Sequence, residues 1–169
     1  RCIEVLELIE ALPPGTQVGA DLETDGFNFR HDHIISHGFA VQDDYCYIVP
    51  VPSGPLRHPA AKDIELTPAL HRALKRAYEN HSLLWTWQNG KFDYKHLKGT
   101  LGINPKVSVD TMLKHYCLDE RGGGDGSDQG ARAAFSVHGL DVLATKYIGA
   151  PQWKTSVKQY LPTKATPYS

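Results

Sequence analysis

The chain has 169 residues, 41% hydrophobic and 22% charged, and its 18 Lys and Arg against 19 Asp and Glu leave a formal net charge of -1. That length and balance suit one globular core, and they exclude a protein drawn to nucleic acid by an overall positive field, so any such contact has to come from a local site. Cys2, Cys46 and Cys117 are an odd number and form no C-x-x-C pair, which excludes a disulfide framework and a structural zinc site, and no apolar run approaches the ~18 residues of a membrane span.

Ile3, Leu6, Ile9 and Leu12, flanked by Val5 and Leu8, recur at helical spacing, and Pro13-Pro14-Gly15 stops that helix. A strand from about Thr16 to Glu23 follows. Ile34 to Val41 and Tyr45 to Val49 read as two further strands joined by a turn at Gln42-Asp43-Asp44, an antiparallel hairpin. Pro50 to Pro59 holds four prolines and a glycine and is expected to be a surface loop. Thr67 is a good N-cap before Pro68, and Leu70, Leu74 and Ala77 line one face of a helix ending near Asn80.

Ser82 to Trp87 is a short buried strand, and Asn89-Gly90 ends it ahead of a helix from about Lys91 to Lys98. Val107 to Val109 is a strand candidate before a helix carrying Met112, Leu113, Tyr116 and Cys117. Residues 120–135 are too polar and glycine-rich to pack and are expected to be a mobile loop. Ser136 can cap a last helix with Leu140, Leu143, Ala144 and Tyr147 on its inner face, closed by Gly149. A three-strand antiparallel meander followed by alternating helices and strands predicts an α/β fold with a mixed sheet flanked by helices. The chain opens inside a helical pattern and closes on Leu161 to Ser169 without a regular element, so residues 1–169 read as a single domain cut at both ends.

Asp21 and Glu23 stand two positions apart at the end of an apolar run. On a strand they share one face, where they can grip the same divalent cation. Burying two like charges at the end of a core strand calls for a counter-charge such as a metal; the alternative is a strand whose last residues reach solvent. Asp63-Ile64-Glu65 has the same spacing but follows the proline-rich loop, where it reads as solvated surface charge. Asp93, in the first turn of a helix that directly follows a strand, reads by itself as an N-terminal helix acid, favoured there by the helix dipole.

Taken together, Asp21-Leu22-Glu23-Thr24 and Gln88-Asn89-Gly90-Lys91-Phe92-Asp93 resemble the first two motifs of the DEDD 3'-5' exonucleases, whose fold is ribonuclease H-like. The helix from Asp110 to Glu120 and the segment from His138 to Gly149 also resemble that family, most of all the proofreading exonuclease domain of family A DNA polymerases. The resemblance implies that Asp21, Glu23 and Asp93 are catalytic, metal-binding carboxylates. It also implies that Thr24 and Phe27 touch the terminal nucleotide, and that Gln88, Asn89 and Phe92 help to hold the strand end. Mg2+ or Mn2+, two ions in the parent protein, would be the cofactor, a single-stranded DNA 3' end the substrate, and the parent's polymerase domain the partner, in a cytoplasmic protein without a membrane segment.

The third family motif, Tyr-x3-Asp or His-x3-Asp, is absent from Leu140 to Ser169. His115-x3-Asp119 has its form but precedes the Gly-rich segment and reads as structural. Two divalent cations about 4 Å apart activate a water and stabilise the leaving oxygen in such sites. Three carboxylates do not neutralise two such ions, so the 169-residue chain is expected to be weak or inactive by itself. A stand-alone DEDD exoribonuclease or exonuclease, and a non-catalytic ribonuclease H-like module that binds nucleic acid, are the alternatives.

Overall fold

A computed structural model describes residues 1–42, 45–51, 53, 65–120 and 137–151. The expected turn at Asp43-Asp44, most of the proline-rich loop, Asp63, the Gly-rich segment from Arg121, the Ser136 cap and the segment from Gln152 lie outside the described residues. The chain divides into two compact units, Arg1–Thr111 and Met112–Ser169.

The first unit is built on a five-stranded sheet. Its elements are α1 (Cys2–Glu10), β1 (Gln17–Thr24), β2 (Ile34–Gln42), β3 (Tyr45–Val49), α2 (Pro68–Tyr78), β4 (Leu84–Trp87), α3 (Gly90–Leu101) and β5 (Val109–Asp110). The strand order is β3-β2-β1-β4-β5, with β1, β2 and β3 antiparallel and β4 and β5 parallel to β1. The mixed sheet expected from the sequence is therefore present, although β5 falls later than Val107 to Val109.

Local chemistry sets the element ends. The Thr67 hydroxyl accepts from Leu70 N at 3.2 Å with Pro68 in the first helical position, so α2 starts where the sequence places it. Gly15, at φ 81, turns the chain from α1 into β1 and donates its N–H to Ser82 O at 2.8 Å, tying the starts of β1 and β4 together.

Burial alternates along β1. Val18, Ala20 and Leu22 enter the core, while Gln17, Asp21 and Glu23 are exposed. Phe39, Tyr78, Trp85 and Trp87 pack together in that core at ring separations of 5.1 to 6.3 Å. Each buried ring contributes roughly 2–3 kcal/mol by leaving water. Both indoles are satisfied, Trp85 Nε1 donating to Asn80 O and Trp87 Nε1 to Lys106 O, each at 3.1 Å. His37 on β2 is fully buried beside them with Nδ1 3.1 Å from the Tyr78 hydroxyl, and burial pulls its pKa down to about 4.

In the second unit, α4 (Thr111–Leu118, whose first residue ends the first unit) and α5 (Leu140–Ile148) meet through imidazoles. His115 and His138 are both buried with their Nδ1 atoms 2.6 Å apart, and Lys146 Nζ lies 3.4 Å from His115 Nε2 and 3.9 Å from the Asp119 carboxylate. Gly149, at φ 65, closes α5 as expected. The expected inner face of α5 is corrected: Leu143 is buried, but Leu140 and Tyr147 are exposed. Tyr147 sets its ring edge-on to His115 at 5.7 Å, so one side of the tyrosine remains open to water. Among the described residues no helix is long and apolar enough to cross a membrane.

Candidate active site

β1 outruns its parallel neighbour. Its pairing with β4 covers only Gln17 to Gly19, whereas its pairing with β2 continues to Thr24 opposite Ile34. β4 turns into α3 instead, and the first turn of that helix fills the gap. Asp93 Oδ1 accepts the Leu22 N–H at 3.2 Å. This places the Asp93 carboxyl beside the Asp21-Leu22-Glu23 segment, at the point where the sheet changes from antiparallel to parallel, which is where open α/β sheets gather their sites.

The expectation that Asp21 and Glu23 are buried charges is corrected. They alternate with Val18, Ala20 and Leu22, and since that set takes the core, the two acids take the open face. The buried carboxyl is Asp93, only 2% exposed.

Electrostatics follow from this placement. Burial, then the negative charge of Asp21, push the Asp93 carboxyl up to about 7; its own N–H and that of Leu22 oppose the rise, and Asp110 adds a little to it. The Asp21 side chain reaches solvent, but the protein wall behind it strips part of its hydration. That loss, then Glu23, raise its pKa against the pull of the Leu22 N–H. The field extends inward, where burial first and then Asp93 and Asp21 hold the Tyr78 hydroxyl well above its ordinary range. Positive charge is what this cluster lacks.

The β4–α3 turn is held from β5. Asn89 adopts a left-handed conformation at φ 57 and gives α3 no side-chain cap. Asp110, paired in register with Trp87, supplies the acceptors instead, taking Asn89 N at 3.2 Å and Gly90 N at 2.8 Å. Thr111 Oγ1 donates to Trp87 O at 3.1 Å and is also bonded to the Gln88 side-chain carbonyl. A Cβ at Gly90 would sit 2.7 Å from the Trp87 Cβ, so only glycine allows the turn to close this tightly. Sequence reading missed Asp110 and Thr111. Their signal was a helix start with no capping side chain, followed by an acid at the end of the next strand.

The other sequence candidates fall into two groups. Phe27, 91% exposed, meets the half-buried Phe92 edge-on with centroids 6.2 Å apart. Gln88 and Asn89 are half-buried in the turn. The Thr24 hydroxyl does not face the acids; it donates to Gly26 O at 2.7 Å and shapes the loop after β1. That loop is pinned by Asp25, which accepts His33 N at 2.6 Å and donates its own N–H to His33 O at 3.0 Å.

An all-oxygen donor set with unmet negative charge suits Mg2+ or Mn2+ rather than zinc. As the side chains stand, no three His, Cys, Asp or Glu residues converge closely enough to hold an ion, among the described residues. The donors therefore fit a hard divalent cation in type and charge, with Asp93 already fixed and Asp21 and Glu23 free to turn on the open face.

A family profile described as 3'-5' exonuclease matches residues 1–167. Among solved structures the chain is similar to Brucella melitensis NrnC with bound Mg2+, at a TM-score of 0.56 and 16% identity over 89% of this chain and 62% of that one. It is similar to Escherichia coli RNase D, an exoribonuclease involved in structured RNA processing, at 0.53 and 13% over 88% of this chain and 31% of that one. It is also similar to Pol1 from M. smegmatis in complex with DNA primer-template and dNTP, at 0.57 and 15% over 88% of this chain and 21% of that one. These likenesses show the ribonuclease H-like fold. The chain spans 53% to 62% of the length of NrnC. No curated protein sequence matches it significantly.

Proposed function

The chain belongs to the 3'-5' exonuclease family, and from that premise we propose that it carries the metal-binding half of a proofreading site that trims the 3' end of single-stranded DNA. The observation that carries this reading is the Leu22 N–H to Asp93 Oδ1 bond, which sets a buried carboxyl against the Asp21-Leu22-Glu23 segment.

Asp21, Glu23 and Asp93 would hold the divalent ions, which supply an activated water and a counter-charge for the leaving 3' oxygen. Asp93 keeps one oxygen on the Leu22 N–H and presents the rest of its carboxyl to the cluster. With its pKa near 7, it sheds its proton as a cation binds, so affinity falls as the pH drops below neutrality. Asp21 and Glu23, on the open face, would supply the remaining carboxylates to the ions. Phe27 against Phe92 offers an apolar wedge for the terminal base, Gln88 and Asn89 offer amides to the strand end, and Thr24 keeps the loop in place.

A second reading is a stand-alone exonuclease or exoribonuclease. It draws support from similarity to RNase D, an exoribonuclease, in a fold shared equally with a polymerase. Degradation of matched DNA and RNA oligonucleotides discriminates the exoribonuclease from the proofreading reading, and a polymerase domain in the same protein discriminates the stand-alone exonuclease.

The test of the site uses this chain for metal binding and, for turnover, any longer chain that includes it and supplies the third motif. Asp21→Ala should cost on the order of 4 kcal/mol in the barrier, about a thousandfold in rate, and should weaken Mn2+ binding measured by calorimetry. Asp63→Ala, with the same sequence spacing to an acid, should change neither. Equal losses from the two substitutions would sink the assignment.

A further inference from the structure

We infer that Arg30 and Lys95, both resting on the Phe29 ring, form a landing for the phosphate backbone of a single strand behind its 3' end. This rests on the exonuclease reading and extends it to how the strand is held.

A row of rings leads away from the acids. Phe92 and His96 stand one turn apart on α3 with centroids 4.3 Å apart. The loop between β1 and β2 lies along them, Phe27 meeting Phe92 at 6.2 Å and Phe29 meeting His96 at 6.5 Å, both edge-on. Phe29 approaches α3 so closely that a Cβ at Gly99 would lie 2.7 Å from its ring, so the glycine is what seats it. Asp32 fixes the loop between the two phenylalanines by accepting Asn28 N at 2.7 Å. Phe27 and the half-buried Phe92 and Phe29 are therefore held in place around a buried His96, which supports the Phe29 ring from below.

The far end of the row is cationic. The Arg30 guanidinium carbon lies 5.5 Å, and Lys95 Nζ 5.8 Å, from the Phe29 centroid. Both side chains are exposed, as is Lys91 one turn earlier on the same helix. On α2, Lys75 is paired with Glu79 at 2.6 Å and Arg76 with Glu10 at 2.9 Å. Arg30 and Lys95 make no ion pair among the described residues. Two like charges over one ring repel each other, and an anion between them relieves that repulsion.

A nucleic acid strand supplies such an anion at every step. Its backbone is repelled by Asp21, Glu23 and Asp93 everywhere except where bound cations neutralise them, so attraction is needed behind the scissile phosphate. His96 is one helical turn, about 5.4 Å, beyond Phe92, which sets the Phe29 platform beside the nucleotide preceding the terminal one. Aromatic faces for bases with cations along the backbone are the general means of holding single strands.

The test is the affinity of this chain for a fluorescent oligothymidylate and for a dinucleotide without a 5' phosphate, whose one phosphate lies at the acids, in EDTA, over a series of salt concentrations. The doubly substituted R30A/K95A protein should bind the oligonucleotide about tenfold more weakly. The slope of log affinity against log salt should fall by about 1.4, from two lost contacts at about 0.7 each. Dinucleotide binding should hold within about twofold, and R30K/K95R should restore the slope. An unchanged slope, or an equal loss for the dinucleotide, would overturn the inference. Asp93→Asn, with Mn2+ binding to this chain read separately by calorimetry, separates the two claims: oligonucleotide binding through Arg30 and Lys95 without Asp93-dependent Mn2+ binding removes the exonuclease reading and leaves this one standing, while the reverse pattern removes this one alone.

Discussion

His37 on β2 and Asp93 on α3 are both buried, in the same unit, and both influence or touch Tyr78. His37 meets the cost of burial by giving up its charge. Its pKa sits near 4, and its Nδ1 is closed off by the Tyr78 hydroxyl at 3.1 Å. Asp93 keeps a carboxyl poised near pH 7, with Asp21 beside it and hydrogen bonds too few to offset the repulsion. A buried polar group that sheds its charge, as His37 does with Nδ1 bonded and Nε2 left without a hydrogen-bond partner among the described residues, is there for the fold. One left beside like charges is there for something that arrives.

The sharpest way to break that comparison is to neutralise Asp93. Asp93→Asn keeps an oxygen for the Leu22 N–H but removes the charge, and turnover should fall about a thousandfold, on the order of 4 kcal/mol. A protein still turning over at a tenth of the normal rate would make Asp93 a second His37, a residue of the fold. Asp110→Ala comes next, since it strips the Asn89 and Gly90 N–H groups of their acceptors. It should lower unfolding free energy by about 2–3 kcal/mol in denaturant titrations and weaken Mn2+ binding through the loosened turn, with Asp110→Asn intermediate. Tyr78→Phe should cost the least, about 1–2 kcal/mol from the orphaned His37 Nδ1, and should leave Mn2+ affinity alone. A large loss of affinity there would mean that the two buried groups act as one site.

The fold was legible because its signals are local. Alternation along Val18 to Glu23, the Thr67-Pro68 start of α2, and the Asn89-Gly90 break before α3 each fix an element from a few residues. The candidate acids could be picked out in the sequence, but their burial could not. Spacing placed Asp21 and Glu23 on one face of β1, but only the packing of Val18, Ala20 and Leu22 decides which face is dry. Taken alone, Asp93 read as an N-terminal helix acid for the same reason: nothing in its neighbourhood along the chain announces that β1 outruns β4 and leaves the Leu22 N–H to be claimed. Asp110, Thr111 and the His115–His138 pair depend on contacts between elements distant in sequence.

The charge on Asp93 gives the most direct measurement. Its folded pKa of about 7 stands above the ordinary 3.8, so the folded state binds the extra proton between those values, and metal-free stability falls as pH rises through that window and levels off above it. Unfolding free energies of the native chain and of Asp93→Asn should be compared from pH 4 to 8, with and without Mn2+. Without metal the two should agree near pH 4, and the variant should become the more stable by about 3–4 kcal/mol at pH 8; Mn2+ should close or reverse that gap. A gap that is constant with pH, or indifferent to Mn2+, would contradict the claim that Asp93 is a buried charge awaiting a cation.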